Sequence, residues 1–167
     1  MNAFRKPYLL FLLLALACLS GCASTPGPGA FKVVKVVDGD TIHAMDSEKR
    51  IAKVRLHGID APERGQPYYR SASGALSSLV AGQIIKMRVM ERDRYGQIVA
   101  TIYLVDGANV NMVMVEHGYA WWYRQYAPGY AGLEAAERSA RQQKLGLWAD
   151  EDPIAPWEWR EMKSGTQ

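Results

Sequence analysis

KRIAKVRLHGIDAPE, Lys49 to Glu63, alternates apolar and polar residues and then stops at a glycine and two acids. Ile51, Val54 and Leu56 fall on one side, with slips, and Lys53 and Arg55 on the other. A period of two with one apolar face is the pattern of a half-buried strand. Upstream, FKVVKVV (Phe31–Val37) is a β-branched run, VVDGDT (Val36–Thr41) carries an Asp-Gly-Asp turn, and TIHAM (Thr41–Met45) resumes the apolar pattern. Together they predict a three-stranded meander. His57 falls in the middle of the third strand in this reading. It is a structural residue, because no partner histidine lies at metal-ligand spacing.

Downstream, QPYYRSASGALSSLVAG (Gln66–Gly82) breaks the strand pattern. Pro67 suits a helix start, Gly82 a stop, and Leu76, Leu79 and Val80 form an apolar helical face. QIIKMRVMER (Gln83–Arg92) and IVATIYLV (Ile98–Val105) are strands again, joined by DRYGQ, whose Asp93 and Gly96 are hairpin-turn residues. NVNMVMVEHG (Asn109–Gly118) reads as a short helix. YAGLEAAERSARQQK (Tyr130–Lys144) is a longer one, with Leu133, Ala136 and Ala140 on one face. Five strands with an inserted helix and about three helices in all predict a β-rich α+β fold, a five-stranded OB-type barrel. The domain is expected over residues 31–160. PWEWREMKSGTQ (Pro156–Gln167) is a tail that docks by its tryptophans and frays over 161–167.

The first residues read differently. Arg5 and Lys6 precede YLLFLLLALACL (Tyr8–Leu19), an apolar run too short to span a bilayer comfortably and flanked like a secretory signal. It ends in LSGC (Leu19–Cys22), which resembles the bacterial lipobox, in which the cysteine is lipidated and becomes the first residue. The expectation is a signal peptide over 1–21, a lipid on Cys22 and a flexible tether over 22–30, ASTPGPGA being small residues, proline and glycine. Ala23 after the cysteine, rather than aspartate, is consistent with outer-membrane sorting in a Gram-negative cell envelope. The only cysteines are Cys18 and Cys22, so no structural disulfide remains once the leader is gone. Loss of Arg5 and Lys6 leaves 18 basic against 17 acidic residues over 146 positions, one domain of nearly balanced charge. That argues against coating nucleic acid by bulk electrostatics, though not against a locally basic groove.

Acids at the strand ends carry the chemistry. Asp40 closes the first turn, and Asp60 and Glu63 lie just beyond the third strand. If neighbouring strands bring those ends together, two carboxylates, a backbone carbonyl and waters make an all-oxygen site for a hard cation such as Ca²⁺. A calcium-bound water is only modestly acidified, so a third carboxylate, Glu63, is useful as a base. Arg55 projects from the third strand, where a guanidinium can hold two phosphate oxygens and stabilise growing charge. Turn acids and surface charges would give the same short pattern, so spacing alone does not decide.

VVDGDT, VRLHGIDAPE, DRYG and GLWADEDPIAPWEWR (Gly146–Arg160), in that order, resemble the staphylococcal nuclease (thermonuclease) family across about Ala30 to Arg160. The resemblance implies a Ca²⁺-dependent OB-fold nuclease that cuts DNA and RNA to 3′-phosphate ends. It implies Asp40, Asp60 and the Ala61 carbonyl as metal ligands and Asp38 as an acid behind them. Glu63 becomes the general base and Arg55 the first phosphate-binding arginine, while Arg94 and Tyr95 become contacts to a nucleotide phosphate. The family usually reads Tyr-Gly-Arg at the second hairpin, with a catalytic arginine, and here Gln97 stands in its place. Glutamine keeps two donors but neither the charge nor the fork of five. A weakened or redirected nuclease is therefore expected, and Gln97→Arg is expected to raise its rate. The other readings are a non-catalytic oligonucleotide-binding lipoprotein and a surface lipoprotein that merely reuses the fold.

YAWWYRQYAPGY (Tyr119–Tyr130) gathers aromatics beside Arg124. Trp121 and Trp122 are expected in the core and Tyr123 and Tyr126 against substrate bases. Trp148, Trp157 and Trp159 are read as packing residues of the tail, and ERDR (Glu91–Arg94) as a solvated hairpin end. Nothing in the sequence points to a protein partner, and a monomer is expected.

Overall fold

The computed structural model describes residues 26–165; the predicted leader, Cys18, Cys22 and the start of the tether lie outside them. Strands β1 (Ala30–Val36), β2 (Thr41–Met45), β3 (Ile51–Leu56), β5 (Ile84–Arg92) and β6 (Ile98–Leu104) close a barrel in the order β1-β2-β3-β6-β5. Two very short strands, β4 (Ile59–Asp60) and β7 (Trp121–Trp122), pair antiparallel beside it. The meander is as predicted: β2 runs antiparallel to β1 and β3, with Thr41 opposite Arg55 and Ile42 opposite Val54. Closure comes from β3 running parallel to β6, with Leu56 opposite Ala100. Bulges between Val33 and Lys35 and between Val89 and Glu91 bend the long strands round the barrel.

Alternation fills the interior. Val33, Ile42, Val54, Leu56, Ile85, Ile98 and Ile102 are each no more than 2 % exposed. Helix α1 (Tyr69–Val80) sends Ala72, Leu76 and Val80 into the same core. Helix α2 (Val110–Glu116) starts where the Asn109 side chain accepts from the Met112 N–H. Helix α3 (Ala131–Gln142) buries the predicted face of Leu133, Ala136 and Ala140. No helix of the described residues is long and apolar enough to cross a membrane.

Two features differ from expectation. The tail forms a further helix, α4 (Pro156–Ser164), with Pro156 at its first turn and Glu158 accepting from the Ala155 N–H. His57 is not in mid-strand: β3 ends at Leu56, and His57 and Gly58 make the turn into β4, with Gly58 at φ +77°. A positive φ suits glycine and stops the strand one residue after its last buried apolar side chain.

Buried polar residues fix the loops that lead to the site. Asn111, on α2, donates to the His57 carbonyl (2.9 Å) and the Ala100 carbonyl (3.2 Å) and accepts from the Ile102 N–H. Glu137, on α3 and 3 % exposed, accepts from the Trp122 N–H at 2.9 Å and from Arg141 Nε at 2.9 Å. It thereby satisfies the backbone of β7, whose other edge pairs with β4. Gly39 has no room for a side chain, since a Cβ there would stand 2.7 Å from the Ala61 Cβ and 2.8 Å from the Ala72 Cβ. The β1–β2 turn is thus pressed against both the β4 exit and α1.

Candidate active site

Asp40 sits where the β1–β2 turn enters β2, and it is 4 % exposed. The Asp38 carboxylate accepts from its N–H at 3.1 Å, and its own carbonyl accepts from the Leu56 N–H at 2.8 Å. Its side chain accepts from Thr41 Oγ1 (2.9 Å), Arg55 Nη1 (3.0 Å) and the Ala61 N–H (3.0 Å). Asp60 ends β4 and is fully buried. It accepts from Arg55 Nη2 at 2.8 Å. One guanidinium therefore bridges the two aspartates, which the β2–β3 register makes possible by setting Arg55 opposite Thr41.

A second guanidinium completes the cluster. Arg160, on α4, donates from Nη2 to Asp60 Oδ2 (2.8 Å) and from Nη1 to Asp60 Oδ1 (3.3 Å) and Glu63 Oε1 (2.7 Å). Its neighbours hold it there. Trp157 stacks on Tyr123 with centroids 5.2 Å apart and meets Trp121 edge-on at 5.6 Å. Gln66 accepts from the Glu63 N–H (2.8 Å) and donates to the Ile154 carbonyl (2.7 Å), which fastens the Glu63 loop to the approach of α4.

Burial sets the electrostatics. It pushes the Asp40 carboxyl up to about 7, helped by Asp38 and Asp60 and opposed by Arg55. Burial alone would lower Arg55, but Asp40 and Asp60 outweigh it and the net shift is upward. Hydrogen bonds to Asp60, then to Glu63, raise Arg160. Burial lowers His57 below the usual imidazole value, with Glu91 opposing it. Its Nδ1 is buried without a hydrogen-bond partner among the described residues.

Beside the cluster opens a cavity of about 620 Å³, lined among others by Arg55, His57, Gln97, Tyr123, Tyr126 and Arg160. Asp40, Asp60, Glu63 and Arg55 thus converge, with Asp38 against Asp40 and the Ala61 backbone touching it. Gln97, Tyr123 and Tyr126 share the cavity wall. Tyr126 is 63 % exposed there, whereas Trp121 and Trp122 are buried. Arg94 and Tyr95 are not brought into the site: Tyr95 is 80 % exposed at the hairpin tip, and Arg94 stacks over its ring. Arg160 escaped the sequence reading, which took the tail only as packing. The available signal was a proline-started helix with Trp157 and Arg160 three residues apart, one face carrying both an anchor and a cation.

Among the described residues no group of three or more His, Cys, Asp or Glu side chains converges at metal-holding spacing. A site of two carboxylates and a backbone carbonyl is a different donor set, and the residues fit it. Asp40 and Asp60 are hard oxygen donors, both buried and joined by the Arg55 guanidinium.

The family model of the staphylococcal nuclease homologues matches residues 53–150, and the chain belongs to that family. It is 47 % identical over 142 residues to an Escherichia coli protein named as an uncharacterized endonuclease, covering 85 % of this chain and 89 % of that one. It is 38 % identical over 138 residues to a Shigella flexneri micrococcal nuclease, covering 77 % of this chain and 79 % of the relative. A staphylococcal-like nuclease of Arabidopsis thaliana is 40 % identical over 133 residues, which span 78 % of this chain and 41 % of the plant protein. The protein is a nuclease, a hydrolase whose substrate is nucleic acid.

Proposed function

We propose that this nuclease is calcium-dependent and cuts both DNA and RNA. The observation that carries the reading is the convergence of Asp40, Asp60 and Glu63 on two guanidiniums at the edge of an open cavity. Asp40, Asp60 and the Ala61 carbonyl would hold the cation. Bound there, calcium supplies positive charge to a phosphate oxygen and a modest acidification of water. Arg55 offers a phosphate the donors left after its bonds to the two aspartates and stabilises the charge that grows on the phosphoryl oxygens. Glu63, 41 % exposed at its side chain, takes the proton of the attacking water. The water oxygen bonds to phosphorus, the phosphorus–oxygen ester bond breaks, and the leaving oxygen takes a proton from solvent. Tyr126, exposed on the cavity wall and backed by Tyr123, which itself stacks on Trp157, gives a base an aromatic face, which favours unpaired strands.

The test is cleavage of plasmid, single-stranded DNA and RNA in calcium against EDTA. Cutting of all three that stops in EDTA is expected. Retained binding with no product in calcium would favour a non-catalytic oligonucleotide-binding barrel instead.

We further propose that the chain acts as a monomer, lipid-anchored through Cys22 in a bacterial envelope, most simply at the outer membrane. The lipobox-like LSGC supports this. Radiolabelled palmitate should enter the wild-type protein and not Cys22→Ser, and equal labelling of the two would reject the anchor.

A further inference from the structure

Within the reading of the site as a phosphodiesterase, on which this rests, we propose that Arg160 is a catalytic residue. It supplies from the last helix the second phosphate-binding guanidinium that Gln97 does not provide. The hairpin brings no cation to the cavity wall, which it lines with Glu91, Asp93 and the neutral Gln97 amide, and Arg160 reaches the same wall from α4. Both arginines bond Asp60, so the buried carboxylate is flanked by two cations, and both side chains line the cavity.

The donor count leaves Arg160 free for this. A guanidinium has five N–H groups in a fixed plane. The end-on fork of Nη1 and Nη2 grips Asp60, and the other Nη1 proton goes to Glu63. The Nε–H and the remaining Nη2–H lie on one edge of the plane, a second fork of the spacing that two phosphate oxygens accept. The side chain is 41 % exposed, so that edge is not sealed in the core. Its mounting is rigid as well: the Trp157–Tyr123 stack and the Gln66 tie hold α4 against the Glu63 loop. A merely structural Arg160 would need the carboxylate bonds and nothing from the cavity.

The experiment compares Arg160→Met, Arg160→Lys, Gln97→Arg and the double change Gln97→Arg with Arg160→Met, all in calcium. The measurements are kcat, KM, melting temperature and calorimetric binding of a nucleoside 3′,5′-bisphosphate. Arg160→Met is expected to lose about 100- to 1000-fold in kcat, the usual cost of one charged donor to a transition-state oxyanion. Binding of the bisphosphate should weaken about 10-fold, as for one lost charge-assisted contact. Arg160→Lys keeps the charge and the carboxylate bonds but not the fork, so it should fold normally and stay at least about 10-fold slow. Gln97→Arg alone should raise kcat by less than about 10-fold, because Arg160 already supplies a guanidinium, yet recover at least about 10-fold in the Arg160→Met background by returning one to the wall.

Full activity in Arg160→Lys would overturn the proposal, as would Arg160→Met with wild-type kcat and affinity, or an equal gain from Gln97→Arg in both backgrounds. A wild-type protein that cuts nothing would instead defeat the phosphodiesterase reading itself.

Discussion

Asp40→Asn is expected to abolish calcium-dependent cleavage and yet stabilise the metal-free protein above neutral pH. The carboxylate is buried, and in the absence of a cation its burial costs more than Arg55 returns, so its pKa stands near 7 instead of 3.8. The folded state therefore holds a proton between about pH 4 and 7 that the unfolded chain releases. The stability tied to that proton is fully present below the window and falls as pH rises through it, by at most about 1.4 kcal/mol per pH unit. Asparagine has no such slope. In EDTA, urea melts of the two proteins should differ least near pH 4 and separate progressively up to about pH 7, the variant being the more stable at pH 8. Calcium should raise the wild-type midpoint at pH 8 by mass action and leave the variant unmoved. Parallel pH curves would show that Asp40 is not the titrating group, and surviving cleavage would remove it from the ligand set.

The second large effect is expected at Arg55. Its two terminal nitrogens hold Asp40 and Asp60 at 3.0 and 2.8 Å, so removal strips both buried carboxylates of a shared partner. Arg55→Met should cost roughly 3–5 kcal/mol of stability without calcium, the range for one lost partner of a buried pair. Calcium should recover part of it. Arg55→Lys keeps the charge but cannot bridge two carboxylates and a phosphate together, so the fold should persist while kcat falls about 100-fold or more. Melts with and without calcium, read beside kcat, separate the two roles. Near-wild-type kcat in Arg55→Lys would mean that Arg55 only balances charge.

The barrel was legible because its signals are local. Alternation through Ile51, Val54 and Leu56 marks a strand whatever lies across from it, and Asp93 with Gly96 marks a hairpin by turn chemistry alone. The acids at the ends of β1 and β4 were legible for the same reason, and the family resemblance sharpened them into a site. What escaped was long-range. Glu137 and Asn111 look like ordinary helix-surface residues until Trp122 and His57 arrive as partners. Arg160 lies 100 residues from Asp60, and its sequence neighbours say only that a tryptophan-rich end packs somewhere. His57 was drawn into the strand because alternation does not register where a glycine turns the backbone.

The docking of α4 has a consequence for how the molecule comes into being. The five barrel strands and α1 precede residue 105, and α2 and α3, which complete the core, precede residue 143, so a ribosome adds Arg160 only after the barrel and its packing helices have been synthesised. A chain that ends before Pro156 has the barrel strands but lacks the guanidinium that bonds Asp60 and Glu63 from α4. Completion of the carboxylate cluster therefore waits on α4, a helix that follows every barrel strand in the chain.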